Sequence, residues 1–74
     1  MKIKVGTLAG GKAISWFNDI GVCIATASAI RLEISPDVHP RIRDAAEGAY
    51  RELSRDPNAD LRHYEGMTLP ADEP

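Results

Sequence analysis

Cysteine is almost absent from this 74-residue chain, which contains a single one, Cys23. One thiol cannot form a disulfide within a monomer, so no covalent cross-link compensates for the small core of so short a chain. This cysteine usage fits a reducing cytosol better than secretion. The length allows only one domain, which buries roughly 60% of the surface that the unfolded chain exposes. We therefore expect a cytoplasmic domain with a thin margin of stability.

Long apolar runs are also lacking. The most apolar stretch, residues 20–30, is about half the length needed to span a bilayer. The first five residues alternate lysine with apolar side chains and do not form the core of a signal peptide. Charge of one sign is equally scarce, since nine Lys and Arg residues stand against eleven Asp and Glu residues, a formal net charge of −2. We expect neither contact with a membrane nor direct binding of nucleic acid.

Groups that carry chemistry are few and far apart. Cys23, His39 and His63 match neither a zinc-site nor a thiol-protease spacing. Cys23 is predicted to be a small buried residue of an apolar strand, and His39 to cap a helix or face solvent. The Gly-Gly-Lys of residues 10–12 is similar to part of a phosphate-binding loop, but that motif opens a helix, whereas Ala13 opens a predicted strand. The sequence thus predicts a protein that is not an enzyme and holds no cofactor or metal.

The chain changes character at Ser35-Pro36. Before this point, apolar segments are separated by turn residues, and several alternate polar with apolar side chains, as half-buried strands do. Strands are predicted at residues 2–5, 13–17, 20–26 and 30–34. The last has the cleanest alternation, with Ile30, Leu32 and Ile34 on its apolar face.

After this point the periodicity is helical, over about Pro40–Arg55. The helix is predicted to begin either at Ser35 with Pro36 in its first position or at Pro40, and the restriction that Pro40 places on His39 favours the later start. Its apolar face consists of Ile42, Ala45, Ala46, Ala49, Tyr50 and Leu53. The predicted fold class is therefore α+β: a three- to four-stranded antiparallel sheet packed by one main α-helix.

The predicted helix contains one glycine. Gly48 lies on the outer face of the predicted helix, where glycine costs roughly 1 kcal/mol relative to alanine, and either close approach of another backbone or mere tolerance would explain it.

Residues 58–66 are expected to form either a short C-terminal helix ended by Gly66 or an extended segment. Residues 70–74 offer nothing to bury and are predicted to be a flexible acidic tail, so the compact domain is expected to cover residues 1–69.

The position of Trp16 depends on the turn that follows it. A two-residue loop at Asn18-Asp19 would pair Phe17 with Ile20 and place Trp16 on the sheet face away from the helix, together with Ile14. A four-residue loop gives the same result, whereas a three-residue loop would put Trp16 in the core. Either Trp16 and Ile14 form an exposed contact patch, or Trp16 is the largest core residue. The two-residue loop is the basis of our expectation that they are exposed.

In size, layout and the scarcity of catalytic groupings, the chain resembles small proteins of phages and mobile elements, of which anti-CRISPR proteins are the best-known functional group. This resemblance implies an inhibitor that sterically blocks a nucleoprotein complex of the host. Anti-CRISPR proteins share no common motif, so the resemblance assigns no residue. The alternative is a homo-oligomeric structural or accessory protein, with the Trp16 face and an edge strand buried between copies.

Candidate partner-binding residues are chosen from side chains that could anchor or steer a protein partner. Aromatic and apolar side chains would anchor it, and exposed charges would set the rate of association. Because the arginines of the helix are interleaved with acids, a solvated face is favoured there over a binding stripe. The candidates are Trp16, Ile14, Asp60, Glu65, Tyr64 and Arg51. The chain is expected to be a monomer or a homodimer.

Overall fold

The computed structural model describes residues 2–8 and 10–67 of the chain. Four strands are followed by two helices. The strands are β1 (Lys2–Leu8), β2 (Gly11–Phe17), β3 (Cys23–Ser28) and β4 (Leu32–Ile34), and the helices are α1 (Pro40–Arg55) and α2 (Arg62–Glu65). This confirms the predicted α+β class, with a four-stranded sheet, one main helix and a short C-terminal helix. The predicted tail at residues 70–74 lies outside the described residues.

The four strands form an antiparallel meander in the order β1-β2-β3-β4. In the first hairpin, Lys2 pairs with Phe17 at one end and Leu8 with Gly11 at the other. Gly11 has a φ of +131°, and a Cβ at this position would lie 2.5 Å from Pro57 Cβ. Lys12 donates its backbone N–H to Pro57 O at 2.7 Å. The Gly-Gly-Lys segment thus belongs to a hairpin that docks closely against the chain after α1.

The second hairpin differs from the predicted one, and the helix covers the face of the sheet opposite to the predicted one. Its loop contains five residues, 18–22, because Phe17 pairs with Cys23 and not with Ile20. A bulge follows, so that Trp16 pairs with Ala25. The loop and the bulge together move the partner of Trp16 by four residues, from the predicted Gly21 to Ala25, and an even shift keeps Trp16 on the same face as Ala25. The helix packs on that face because Ile20 and Val22 belong to the loop and add no apolar surface to the sheet.

Burial confirms this correction. Ile14 and Trp16 are fully buried, so the prediction of an exposed patch at these two residues is wrong. Ile20 and Val22, which the two-residue loop would have placed beneath the helix, are exposed instead. Cys23 is exposed on the outer face, which also contradicts the prediction that it is buried.

Helix α1 begins and ends where the sequence predicts. His39 is the N-cap: its Nδ1 accepts the backbone N–H of Arg41 at 3.1 Å, and Pro40 follows in the first helical position. This arrangement satisfies one of the N–H groups that every helix leaves unpaired at its start. The buried stripe comprises Ile42, Ala45, Ala46, Ala49 and Leu53. The alanines bring the helix close to the sheet, chiefly over β3, while Tyr50 is half-buried.

The chain after α1 completes the core over β1 and β2. Leu61 is buried, and the ring of Tyr64 in α2 meets the indole of Trp16 edge-on, with ring centroids 6.4 Å apart. The Tyr64 hydroxyl also explains Gly48, because a Cβ at Gly48 would lie 2.9 Å from that oxygen. A side chain, and not another backbone, therefore approaches this glycine. Both helices consequently lie on one side of the sheet.

The strand boundaries also differ from the predicted ones in detail. The first strand extends to Leu8, the third runs from Cys23 to Ser28, and the fourth begins only at Leu32. Ile30, predicted to lie on the apolar face of the fourth strand, sits in the preceding turn and is 91% exposed. Ser28 shapes that turn, since its backbone N–H donates to Arg31 O at 2.8 Å.

Candidate protein-binding surface

One face of the sheet is left uncovered by the described helices. Within residues 2–8 and 10–67, α1 and α2 pack on the face that carries Ile14 and Trp16. The strand pairings place the alternate residues of β1, β2, β3 and β4 on the opposite side. This face, which we call the open face, carries Lys2, Lys4, Gly6, Ala13, Ser15, Phe17, Cys23, Thr26 and Glu33.

The middle of the open face is flat and polar. Gly6, which has no side chain, is paired with Ala13 across β1 and β2, so the backbone lies close to the surface here. Ser15 Oγ and Thr26 Oγ1 lie 3.2 Å apart across β2 and β3. Cys23 Sγ lies 3.1 Å from the same Thr26 oxygen. These contacts fix the orientations of the hydroxyl and thiol groups. The middle of the open face is therefore preformed and has few protruding side chains.

One corner of the open face is basic and aromatic. Lys4 Nζ lies 5.6 Å from the centroid of the Phe17 ring, within the range of a cation–π contact. Lys2 pairs directly with Phe17, so both lysines flank the ring. Asn18, Asp19 and Gly21 close a shallow cleft beside them, so the corner carries two positive charges and one negative charge. An acidic group with an apolar neighbour would find complementary chemistry in this corner.

Strand β1 forms an edge of the sheet. No described strand pairs with its outer side, so a row of backbone N–H and C=O groups faces outward along seven residues. Lys2 and Lys4 project from this strand, a feature that discourages indiscriminate pairing between edges. The edge and the basic corner are continuous because the same strand supplies both.

The four remaining candidate residues lie on the helical side of the molecule. The Tyr64 hydroxyl donates a hydrogen bond to Glu52 Oε2, and His63 Nε2 lies 3.4 Å from the same oxygen. Burial and this hydrogen bond raise the pKa of Tyr64 to about 12, and the nearby charge of Arg51 opposes the shift. Tyr64 is half-buried, and its hydrogen bond to Glu52 attaches α2 to α1. Arg51 is exposed beside it.

Asp60 and Glu65 occupy the segment around α2. The Asp60 carboxylate accepts the backbone N–H of Arg62 at 3.0 Å and the Nη2 of the same arginine at 2.7 Å. These hydrogen bonds hold the pKa of Asp60 well below its usual range. Asp60 therefore organises the start of α2, while Glu65 is exposed. The structure brings Tyr64 and Arg51 together but joins neither to the open face.

The open face was missed by the sequence analysis. The signal that would have revealed it is the small and hydroxyl-bearing residues at neighbouring positions of two adjacent strands, Ala13 and Ser15 beside Thr26. The predicted hairpin also places these residues on one face, together with Ile20 and Val22, which are loop residues in the structure. With the predicted two-residue loop, these residues fall under the helix instead.

Among residues 2–8 and 10–67, no three or more His, Cys, Asp and Glu side chains are grouped in a way that could hold a metal ion. Within the same residues, no helix has the length and apolar character required to cross a membrane. Comparison of the chain with protein-family models, with curated proteins and with solved structures finds no match. The case for a function consequently rests on the surfaces of this molecule.

Proposed function

We propose that this protein is a non-enzymatic inhibitor that binds a nucleoprotein complex of the host, of the CRISPR type, and blocks it sterically. The observation that carries the proposal is the open face, a sheet surface that the described helices leave uncovered. In a domain of this size, a four-stranded sheet with helices on one side offers its other side as a broad, preorganised contact area.

The preformed side chains in the middle of the open face support a steric role. The contacts among Ser15, Thr26 and Cys23 fix side chains before any partner arrives, so little conformational entropy is lost on binding. The β1 edge adds backbone donors and acceptors that an extended segment of a partner could pair with. Lys2 and Lys4 favour an acidic partner surface, since opposite charges accelerate association and select among partners.

The proposal is tested first in bacterial cells that carry an active CRISPR-type system directed against an infecting phage. Production of this chain should raise the plaquing efficiency of the targeted phage and leave a non-targeted phage unaffected. If plaquing is unchanged with every CRISPR-type system of the host, the proposed inhibition is wrong. Because the protein is proposed to bind the complex, the purified complex should also retain it.

Variants then locate the surface. Ser15→Arg places a large side chain in the middle of the open face, and Lys4→Glu reverses a charge at its basic corner. Each should weaken binding by about tenfold or more. The matched controls on α1 are Ser54→Arg and Arg43→Glu, both at exposed positions, which should bind normally. Equal losses for variants and controls, with folding intact by circular dichroism, would remove the open face from the argument.

The alternative function is that of a homo-oligomeric structural or accessory protein. The contact first expected for it, through the Trp16 face, is ruled out because Trp16 is fully buried. The β1 edge remains available to a second copy. The exposed apolar side chains of Leu8, Ile20, Val22 and Ile30 are the observation that favours self-association.

A further inference from the structure

Strand β1 directs the backbone hydrogen-bonding groups of three residues away from the sheet. Lys12, which pairs with Thr7, donates its backbone N–H to Pro57 O at 2.7 Å and therefore points it away from β1. The Thr7–Lys12 pair is thus one that exchanges no hydrogen bonds, and such pairs alternate along an antiparallel ladder. Val5 and Ile3 follow Thr7 in this alternation, so the N–H and C=O groups of all three residues face outward.

The side chains of β1 on the open face have a definite order. Lys2 and Lys4 are exposed, and Gly6 follows them at the next alternate position. A Cβ at Gly6 would meet nothing within 4 Å, so no described residue fills the space beside this glycine. Its neighbour across the strands is Ala13, which continues the low surface toward β2. The edge therefore presents two positive charges and then a stretch of uncovered backbone.

The charge at this edge is positive even when the neighbouring acidic residue is counted. Asp19 lines the corner together with Lys2 and Lys4, which leaves one positive charge in excess. Lys4 Nζ also lies 5.6 Å from the centroid of the Phe17 ring, and a neutral ring does not remove the charge of the ammonium group. Acidic groups are the partners that would compensate this excess.

We propose that β1 binds an extended acidic segment of a protein partner as an additional antiparallel strand. The segment carries acidic side chains opposite Lys2 and Lys4 and an aromatic side chain opposite Gly6. Its backbone exchanges hydrogen bonds with the three outward-facing residues of β1. In strand addition of this kind, main-chain hydrogen bonds provide affinity and alternate side chains provide specificity. The inference rests on the function proposed above in taking the partner to be a protein.

The position of each group follows from the rules of strand pairing. In an antiparallel pair on the outer side of β1, Lys2, Lys4 and Gly6 occupy the non-hydrogen-bonded positions, where facing Cα atoms are about 4.5 Å apart and side chains are closest. Opposite charges at facing positions stabilise a pair of strands. An aromatic side chain opposite an edge glycine helps to fix the register. The segment therefore has its aromatic residue first, followed by two acidic residues, at alternate positions.

A second copy of β1 fits the same edge less well. Two copies paired antiparallel over all seven residues would be centred on Val5. Lys4 would then face Gly6 of the other copy, and four lysines would lie on one side of two adjacent strands. Lysines on an edge strand oppose pairing between edges in this way. The charges therefore favour an acidic segment over a second copy.

The test is titration of the full chain with blocked seven-residue peptides, followed by NMR of the backbone amides. The matched peptide has tyrosine at its second position, glutamate at its fourth and sixth, and threonine or valine elsewhere. The control peptide has the same composition with its glutamates at adjacent positions, so only one of them can face the lysines in any register. The amides of Ile3, Val5 and Thr7 should shift saturably with the matched peptide. The control peptide should bind about threefold more weakly.

Two further comparisons test the register. Lys4→Glu should weaken binding of the matched peptide by about tenfold, and a peptide with lysine at the fourth position should bind this variant better than it binds the wild type. Arg43→Glu makes the same charge reversal on α1 and should bind normally. N-methylation of the third peptide residue, which faces Val5, should abolish binding, whereas N-methylation of the fourth should not. Both protein positions are exposed, and circular dichroism checks that the variants fold.

The proposal is overturned if the matched peptide leaves the three amides unchanged at millimolar concentration, or if the control peptide binds equally well. It is also overturned if these amides are protected from hydrogen exchange in the free chain, since a second copy or residues 68–74 would then cover the edge. No host complex enters these measurements. Their failure is therefore distinct from a failure of the inhibition proposed above.

Discussion

At the scale of single residues, Trp16 is the largest fully buried side chain of the described core. It lies beneath Tyr64, opposite Ala25 in the sheet, and none of its surface is exposed. Its indole Nε1 has no hydrogen-bond partner in the described part of the chain. The residue therefore contributes by packing alone, which fits a role in stability and excludes a direct contact with a partner.

Trp16→Ala should lower the free energy of unfolding by about 3–5 kcal/mol, the usual loss for a large aromatic side chain removed from a core. Since small domains have about 5–15 kcal/mol in total, this loss removes a large share of the stability. Phe17→Ala, on the open face, is the control and should cost less. Denaturant titration measures both, and a smaller loss for Trp16→Ala than for Phe17→Ala would contradict this assignment.

Gly48 and Tyr64 form a second pair whose effects are coupled. Gly48→Ala should gain about 1 kcal/mol of helix propensity, but the new Cβ would meet the Tyr64 hydroxyl and displace it from Glu52. The substitution is therefore expected to be neutral or destabilising in the wild type. In the Tyr64→Phe background, where that oxygen is missing, the same substitution should be stabilising. A double-mutant cycle by thermal denaturation measures the coupling, and additive effects would disprove the contact.

At the scale of elements, the β1–β2 hairpin and the segment after α1 are joined at Gly11 and Pro57. The backbone hydrogen bond from Lys12 to Pro57 and the one from Lys12 Nζ to Ala59 fasten this segment to the sheet. Leu61 is buried just beyond it. The hairpin thereby fixes the path that the chain takes from α1 to α2.

Gly11→Ala should destabilise the fold by about 1–3 kcal/mol, because a side chain is strained at this positive φ and would overlap Pro57. Gly10→Ala is the matched control, since a Cβ there meets nothing within 4 Å, and it should be close to neutral. Urea denaturation of the two variants makes the comparison. Equal stabilities would mean that the hairpin does not dock as described.

At the scale of the whole molecule, α2 connects global stability to the ionisation of one phenol. The raised pKa of Tyr64 means that the folded state holds the phenolic proton more tightly than the unfolded state does. The stabilisation is fully present below the ordinary tyrosine pKa of about 10. It is lost as the pH rises through the folded value of about 12.

We therefore expect the melting temperature to fall between about pH 10 and pH 12 in the wild type. Tyr64→Phe should flatten that part of the profile, because the group that ionises is gone. Tyr50→Phe removes the other tyrosine of the chain and should leave the fall in place. Identical profiles for the wild type and Tyr64→Phe would show that Tyr64 does not couple to folding.

Several parts of this molecule were predictable because their causes are local. The stripe from Ile42 to Leu53 has a helical period, and the His39-Pro40 pair supplies a capping acceptor and a fixed φ at the first helical position. The β-branched and alternating segments before Ser35 indicate strands. Each of these features depends on residues within a few positions of one another, so a single sequence contains them.

The sequence by itself determined the α+β class, the main helix with its cap, and the presence of strands before it. The tertiary structure alone decided which face of the sheet the helix covers. Ile20 and Val22 lie in a five-residue loop organised by Asn18 and add no apolar surface to the sheet, so the helix packs on the other face, over Trp16 and Ala25. The tertiary structure also decided that Tyr64 lies against Gly48 and Trp16. Contacts between residues so far apart in the chain form only when its helices and strands pack together.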